Sequence, residues 1–300
     1  MTATAALPAS SSETTRTAAI EREIDHARTR GSLQHIVVPP CPALLARLQA
    51  AMDEAEPDLN EVARIAASDV AMAATLIRNA NGPLYAVGQP VQTVGQAMNR
   101  LGLKQTAAIM TGFLVRNAIL VDNRHLRRFW ERSAQRAIAM TFIARQLPGL
   151  STDLAHTYGL FCHVGMPVLL QSVKGYGSTM VEAAARIDRS YVATENFNHR
   201  TDHAVVGALV ARVWRLAPAV MAAIRLHHDL ESLGGEETES EVQTLVAAGL
   251  VAEHLVRRQE AQLPERDWTD HAPAALAWLQ VDEGEVAQWG EELSASLSAF

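Results

Sequence analysis

Signals that begin and end α-helices recur along most of this chain, and they constrain its fold more than any other feature. Asp58 with Glu61, and Thr93 with Gln96, have the spacing of capping boxes, in which side chains satisfy free N–H groups of the first helical turn. The Asn-Gly-Pro sequence at 81–83 is a strong helix breaker. Between such signals the apolar residues recur at helical spacing, and no run alternates as a β-strand does. We therefore predict an all-α fold.

The composition bounds the fold and its partners. A chain of 300 residues with 48% hydrophobic content can fill the core of one large or two modest domains. Aromatic residues make up 5%, which fits small side chains on close-packed helices better than a β-sheet. The net charge of −7 argues against a nucleic-acid partner, because phosphate binding needs concentrated positive charge.

Sequence features that mark cell compartments point to the cytoplasm. The amino terminus lacks the basic start and apolar run of an export signal, and no apolar stretch is long enough to cross a bilayer. Cys41 and Cys162 fit no disulfide framework and no zinc spacing. We expect a cytoplasmic protein with reduced thiols and no membrane partner.

The chain divides into a tail, a central domain and an extension. Residues 1–17 are mostly Ala, Thr and Ser without an apolar face, so we expect disorder there, followed by a helix around Ala18–Thr29. Residues 231–241 are polar and contain two glycines, which is typical of a domain edge. We expect residues 240–300 to form a helical extension.

A series of spaced motifs in the amino-terminal half resembles a known family. The residues of this series are Pro39, Pro40, Pro42, Asp69, Asn79, Asn81 and Gly102. This series resembles the HDOD (HD-related output domain) family of bacterial signalling proteins, degenerate relatives of the HD and HD-GYP phosphohydrolases. The resemblance covers residues 33–233. It implies two packed helical subdomains, a helical bundle near 33–120 and a degenerate HD-like half near 121–233.

The resemblance also implies an eroded metal site. HD phosphohydrolases bind divalent cations through a histidine on one helix, a His-Asp pair on a second and an aspartate on a third. The corresponding positions here hold Arg132, Cys162, His163 and Gly249. Arginine cannot ligate a cation, and adjacent helical residues such as Cys162 and His163 point about 100° apart. We therefore predict no metal, no cofactor and no catalytic residue.

Further histidines match later motifs of the family. His203, His227 and His228 stand where related phosphodiesterases supply additional ligands. With Arg132 and His163 they are candidates to line a small cleft for an anion or nucleotide, with arginine as the counter-charge of the phosphate. The alternative is that these histidines are hydrogen-bonded and pack the former cleft shut.

Arginines recur every fourth residue at 124, 128, 132 and 136, which places them on one stripe of a helix. Such a stripe is either a docking face for an acidic helix or nucleic acid, or a solvated face with ordinary ion pairs such as that between Arg127 and Glu131. The net negative charge of the chain disfavours nucleic acid.

A non-catalytic regulatory module that binds protein partners in trans is the function these features predict. The extension, with Trp268, Trp278 and Trp289, is a candidate interface. One alternative is a nucleotide sensor in which Arg132 binds phosphate. A second alternative is a residual metal-dependent phosphohydrolase that uses the four histidines.

Overall fold

The computed structural model describes residues 15–82, 85, 88–120, 123, 126–186 and 188–297. All regular secondary structure in these ranges is helical, which confirms the predicted all-α fold. None of the helices within them is both long and apolar enough to cross a membrane.

Sixteen α-helices follow one another through the described residues. The first six are α1 (Arg16–Arg30), α2 (Ala43–Asp53), α3 (Leu59–Ala67), α4 (Val70–Ala80), α5 (Val94–Leu101) and α6 (Leu103–Ala118). The central seven are α7 (Phe129–Gln146), α8 (Thr152–Phe161), α9 (Gly165–Ser172), α10 (Tyr176–Ala185), α11 (Tyr191–His199), α12 (His203–Val213) and α13 (Pro218–Leu226). A 3-10 turn (Leu230–Ser232) leads to α14 (Ser240–Gln259), α15 (Arg266–Leu279) and α16 (Glu283–Leu297).

The predicted caps begin helices in the amino-terminal half. The Asp58 carboxylate accepts hydrogen bonds from the backbone N–H groups of Asn60 and Glu61, and Asp69 caps α4 in the same way. A reciprocal capping box joins Thr93 and Gln96 at the start of α5. These bonds satisfy N–H groups that would otherwise lack partners in the first turn.

Two helix boundaries differ from those that capping-box spacing and apolar periodicity indicate. Thr179 and Glu182 have capping-box spacing, but α10 already begins at Tyr176, because Gly175 adopts the left-handed conformation (φ 86°) that turns the chain into the helix. The apolar stretch 153–172 is divided at residues 162–164 into α8 and α9. This break places His163 in a tight turn between two helices.

The motif residues described next fix the path of the backbone between helices. The Asn81 side chain donates to the Val91 carbonyl (2.9 Å) and accepts from the Val91 N–H (2.8 Å). Gly102, at φ 76°, turns the chain between α5 and α6. The Trp214 indole donates to the Pro39 carbonyl oxygen (2.8 Å), which ties the proline-rich segment to α12.

Both ends of the described chain pack on the HD-like half. Residues 1–14 of the predicted tail lie outside the described residues, whereas α1 begins at Arg16 and buries Ile20 and Ile24 against α12 and α13. At the other end, α14 packs on α7 and α13, and α16 packs on α7 and α14. Trp289 of α16 is buried with its ring edge-to-face against Phe142.

Candidate functional site

Four histidines lie together where α8, α9, α12 and α13 meet. They are His163, His203, His227 and His228, and one ring nitrogen from each lies within 4.8 Å of those of the others. His203 and His227 are buried, and the other two are half-buried. Of the predicted cleft residues, the structure brings these four together.

Local backbone signals fix where each ring points. Asp202 caps α12 by accepting from the Val205 N–H, so His203 is the first residue of that helix. His227 ends α13, and its Nδ1–H donates back to the Ile224 carbonyl (2.7 Å).

Glycines allow the helices around the cluster to approach closely. A Cβ on Gly165 would lie 2.1 Å from the His203 carbonyl oxygen, so α9 packs directly on the start of α12. A Cβ on Gly159 would lie 2.8 Å from the Arg136 carbonyl oxygen, so α8 packs equally closely on α7. Gly159 and Gly165 therefore serve close backbone packing, and this packing brings His163 beside His203.

Hydrogen bonds to carboxylates orient the rings of His203 and His228. His203 Nδ1 lies 2.7 Å from Glu195 Oε2, and His228 Nδ1 lies 2.5 Å from Asp267 Oδ2. Glu195 is fully buried and also accepts a short hydrogen bond from the Tyr176 hydroxyl. Because an ionised carboxylate only accepts, Nδ1 carries the proton in both histidines.

The Nε2 atoms of three rings converge. His203 Nε2 lies 3.2 Å from His227 Nε2 and 3.2 Å from His228 Nε2. His163 packs against all three rings, with centroid separations of 5.1 to 6.3 Å. Each of the three converging nitrogens belongs to a ring whose Nδ1 is already hydrogen-bonded.

The surroundings shift the pKa values of the clustered histidines in different directions. Burial is the largest cause that lowers the pKa of His163, and the Arg136 guanidinium lowers it further. Burial and the neighbouring His228 likewise lower the pKa of His227. Burial is the largest single cause acting on His228 and disfavours its charged form, but the hydrogen bond that His228 donates to Asp267 and the nearby carboxylate charges together outweigh burial and raise the pKa. His163 and His227 are therefore neutral at pH 7, the form that binds metal ions.

The cleft beside the histidines is small and is covered by the extension. Its closed part has a volume of about 30 Å³, enough for about two water molecules. Glu253 of α14, with Glu265 and Asp267 at the start of α15, forms one wall.

Two predicted metal-site positions, Cys162 and Gly249, also line the cleft. Burial raises the pKa of the Cys162 thiol to about 12, which keeps it protonated and unreactive. Gly249 also lines the cleft, and a Cβ there would lie 2.6 Å from the Tyr158 hydroxyl. The Tyr158 ring thus occupies the space that a side chain at position 249 would need.

The arginine stripe of α7 docks against α14. Arg136 pairs with Glu253 (3.2 Å), while Arg132 and Arg128 pair with Glu260 at the end of α14. The acidic helix that this stripe meets is therefore the chain's own extension, and Arg124 lies outside the described residues. The guanidinium in the cleft is that of Arg136, one turn along α7 from Arg132.

Several residues of the site were not singled out from the sequence. They are Tyr158, Tyr176, Glu195, Glu253, Glu265 and Asp267. Glu195 and Asp267 belong to helices eight and 39 residues from the histidines they hold, and no local motif connects them.

Comparison with known proteins assigns the central region to a family. The HDOD domain model matches residues 38–230. The chain is 20% identical over 220 residues to an uncharacterised protein of Treponema pallidum, and the match covers 73% of this chain and 42% of that protein. The chain therefore spans less than half the length of that relative.

Solved structures share the fold. A candidate signal transduction protein from Marinobacter aquaeolei superposes with a TM-score of 0.74 at 17% identity, covering 96% of this chain and 66% of that one. A candidate phosphohydrolase from Shewanella amazonensis superposes with a TM-score of 0.69 at 19% identity, covering 94% and 96%. At these identities the likeness establishes the fold alone.

Proposed function

Since this chain belongs to the HDOD domain family, we propose that it is a non-catalytic regulatory module of bacterial signalling that acts by binding a protein partner in the cytoplasm. The replaced HD ligand positions support this function. Arg132, Cys162 and Gly249 supply no ligand oxygen or imidazole, and the Cys162 thiol is buried and protonated. Among the four positions, His163 alone carries an imidazole, and it stands where the resemblance places an aspartate.

The observation that carries the proposal is that the extension covers the cleft. Glu253 of α14 and Glu265 and Asp267 at the start of α15 contribute to the lining of the cleft. The remaining volume of about 30 Å³ is far below that of a nucleotide. Arg132, which a nucleotide sensor would need for its phosphate, is paired with Glu260 instead.

An activity comparison tests the non-catalytic part. We expect the full chain, incubated with Mn²⁺, Fe²⁺ or Zn²⁺, to hydrolyse bis(4-nitrophenyl) phosphate and cyclic dinucleotides no faster than the His203→Ala variant does. A metal-dependent rate that His203→Ala abolishes would instead establish a phosphohydrolase.

Partner binding requires its own experiment. Cross-linking of the full chain in its native host is expected to give a discrete partner, and the two purified proteins are expected to form a complex of defined stoichiometry. If no protein cross-links under several growth conditions, or if purified candidates fail to bind, the adaptor function is contradicted.

A further inference from the structure

We propose that His163, His203, His227 and His228 form a closed mononuclear site for a divalent transition metal ion, with zinc as the best fit. The site deepens the proposed function, because a metal held by four protein ligands has no open position for a substrate and suits regulation rather than catalysis. The argument starts from the three rings whose orientation is fixed by hydrogen bonds.

The protonation pattern leaves three lone pairs facing one another. His203 and His228 donate Nδ1–H to carboxylates, and His227 donates Nδ1–H to a backbone carbonyl. In a neutral imidazole with a proton on Nδ1, Nε2 carries only a lone pair. Lone pairs 3.2 Å apart repel, and either a proton on one of these nitrogens or a metal ion bound to all three removes that repulsion. Metal-bound histidines characteristically have this outer bond to a carboxylate or carbonyl.

The spacing of these nitrogens matches a tetrahedral site. Zinc–nitrogen bonds of about 2.0–2.1 Å in a tetrahedron place the ligand nitrogens about 3.3 Å apart. The two Nε2 separations from His203 are both 3.2 Å. The outer bonds to Glu195, Ile224 and Asp267 therefore hold the Nε2 of His203 at about this separation from those of both His227 and His228.

His163 is suited to be the fourth ligand. Its ring lies beside the other three and offers a nitrogen within 4.8 Å of theirs. No hydrogen bond to this ring occurs in the part of the chain that the structure describes. A metal ion would therefore not compete with a hydrogen bond for this ring.

The charge of the surroundings fits a dication. The other charged side chains that line the cleft are paired, Arg136 with Glu253 and Glu265 with Arg257. The carboxylates that hold the histidines, Glu195 and Asp267, contribute two negative charges without a permanently charged partner. A divalent ion at the centre of the cluster balances them. Four imidazole ligands favour zinc and neighbouring transition metals over Mg²⁺ or Ca²⁺, which prefer oxygen.

The site links four segments and reaches the extension. Its ligands come from the α8–α9 turn, α12 and the end of α13, while Asp267 of α15 holds His228. Metal loading therefore fastens the extension onto the HD-like half.

Zinc titration of the untagged full chain, stripped with chelator and dialysed, tests the site. Calorimetry with ZnCl₂ is expected to show one ion per chain, and CoCl₂ is expected to give the intense visible absorption of tetrahedral cobalt. His163→Ala is expected to weaken zinc binding by more than about 100-fold, a larger loss than an outer-shell change causes. His26→Ala, which removes an exposed histidine of α1, is the matched control and is expected to leave the affinity unchanged.

A second pair of variants tests the outer carboxylate. Asp267→Asn is expected to lower zinc affinity by about 10–100-fold. Asp270→Asn, in the same helix but paired with Arg266 at the surface, is expected to have no effect. Absence of stoichiometric zinc binding, or affinity unchanged in both His163→Ala and Asp267→Asn, would overturn the site. Either result would leave the regulatory function standing, whereas hydrolysis by zinc-loaded protein would overturn that function and not the site.

Discussion

At Gly165 the backbone of α9 runs so close to α12 that no side chain fits between them. The hypothetical Cβ of Gly165 would meet backbone atoms of His203 and Gly207, which cannot move aside as a flexible side chain can. The same contact sets the distance between the His163 and His203 rings, 5.3 Å between centroids. Single residues without side chains thus determine the geometry of the histidine cluster.

Gly165→Ala is therefore expected to be strongly destabilising. A methyl group 2.1 Å from a carbonyl oxygen forces α9 and α12 apart, and overpacking of this kind costs about 3 kcal/mol or more. Gly112→Ala in α6 is the matched control, because its Cβ would meet only the Leu160 Cδ1 at 3.9 Å. That change is expected to be neutral or to stabilise by up to about 1 kcal/mol through helix propensity. Urea unfolding of both variants measures the difference, and equal stabilities would contradict this account.

At the scale of elements, helix α7 carries the contacts between the domain and its extension. Arg136, with a side chain only 6% exposed, pairs with Glu253, and Glu260, also 6% exposed, pairs with both Arg128 and Arg132. The two acidic residues therefore differ in their number of arginine partners. Loss of a sole partner leaves a buried charge uncompensated, whereas a second partner still compensates it.

Removal of the two arginines is expected to have unequal effects on stability. Arg136→Met leaves Glu253 without its partner in the cleft wall and is expected to cost about 3–5 kcal/mol. Arg128→Met is expected to cost less than about 1 kcal/mol, because Arg132 still pairs with Glu260. Chemical denaturation of the two variants checks this order, and a larger loss for Arg128→Met would refute it.

Local elements were more predictable from the sequence than the contacts between them. The caps at Asp58 and Thr93 follow from bonds within one helical turn, so the residues alone indicate them. The start of α10 depends on the conformation of Gly175, and the break at 162–164 depends on packing against α12, so neither follows from periodicity. Family resemblance singled out the four histidines. Glu195 and Asp267, which orient two of them, come from other helices and have no sequence signal of their own.

At the scale of the whole molecule, the extension is part of the domain that it covers. It pairs with the arginine stripe through α14, supplies Asp267 through α15 and packs Trp289 against α7 through α16. The indole of Trp278 donates to Thr244 (3.0 Å), and the Trp268 ring stacks on His254, so both rings serve packing inside the extension. The extension thereby contributes to the lining of the cleft beside the four histidines.

The metal content of the untagged full chain, purified without chelator or metal-affinity resin, tests the proposed four-histidine site most directly. Mass spectrometry of the elements gives moles of transition metal per mole of protein. A closed four-histidine site predicts a value close to one, because four ligands in a tetrahedron hold a single ion. A value of two would indicate a working dinuclear phosphohydrolase, and a value of zero would mean that the histidines only pack the former cleft shut. Either of those results would contradict the account.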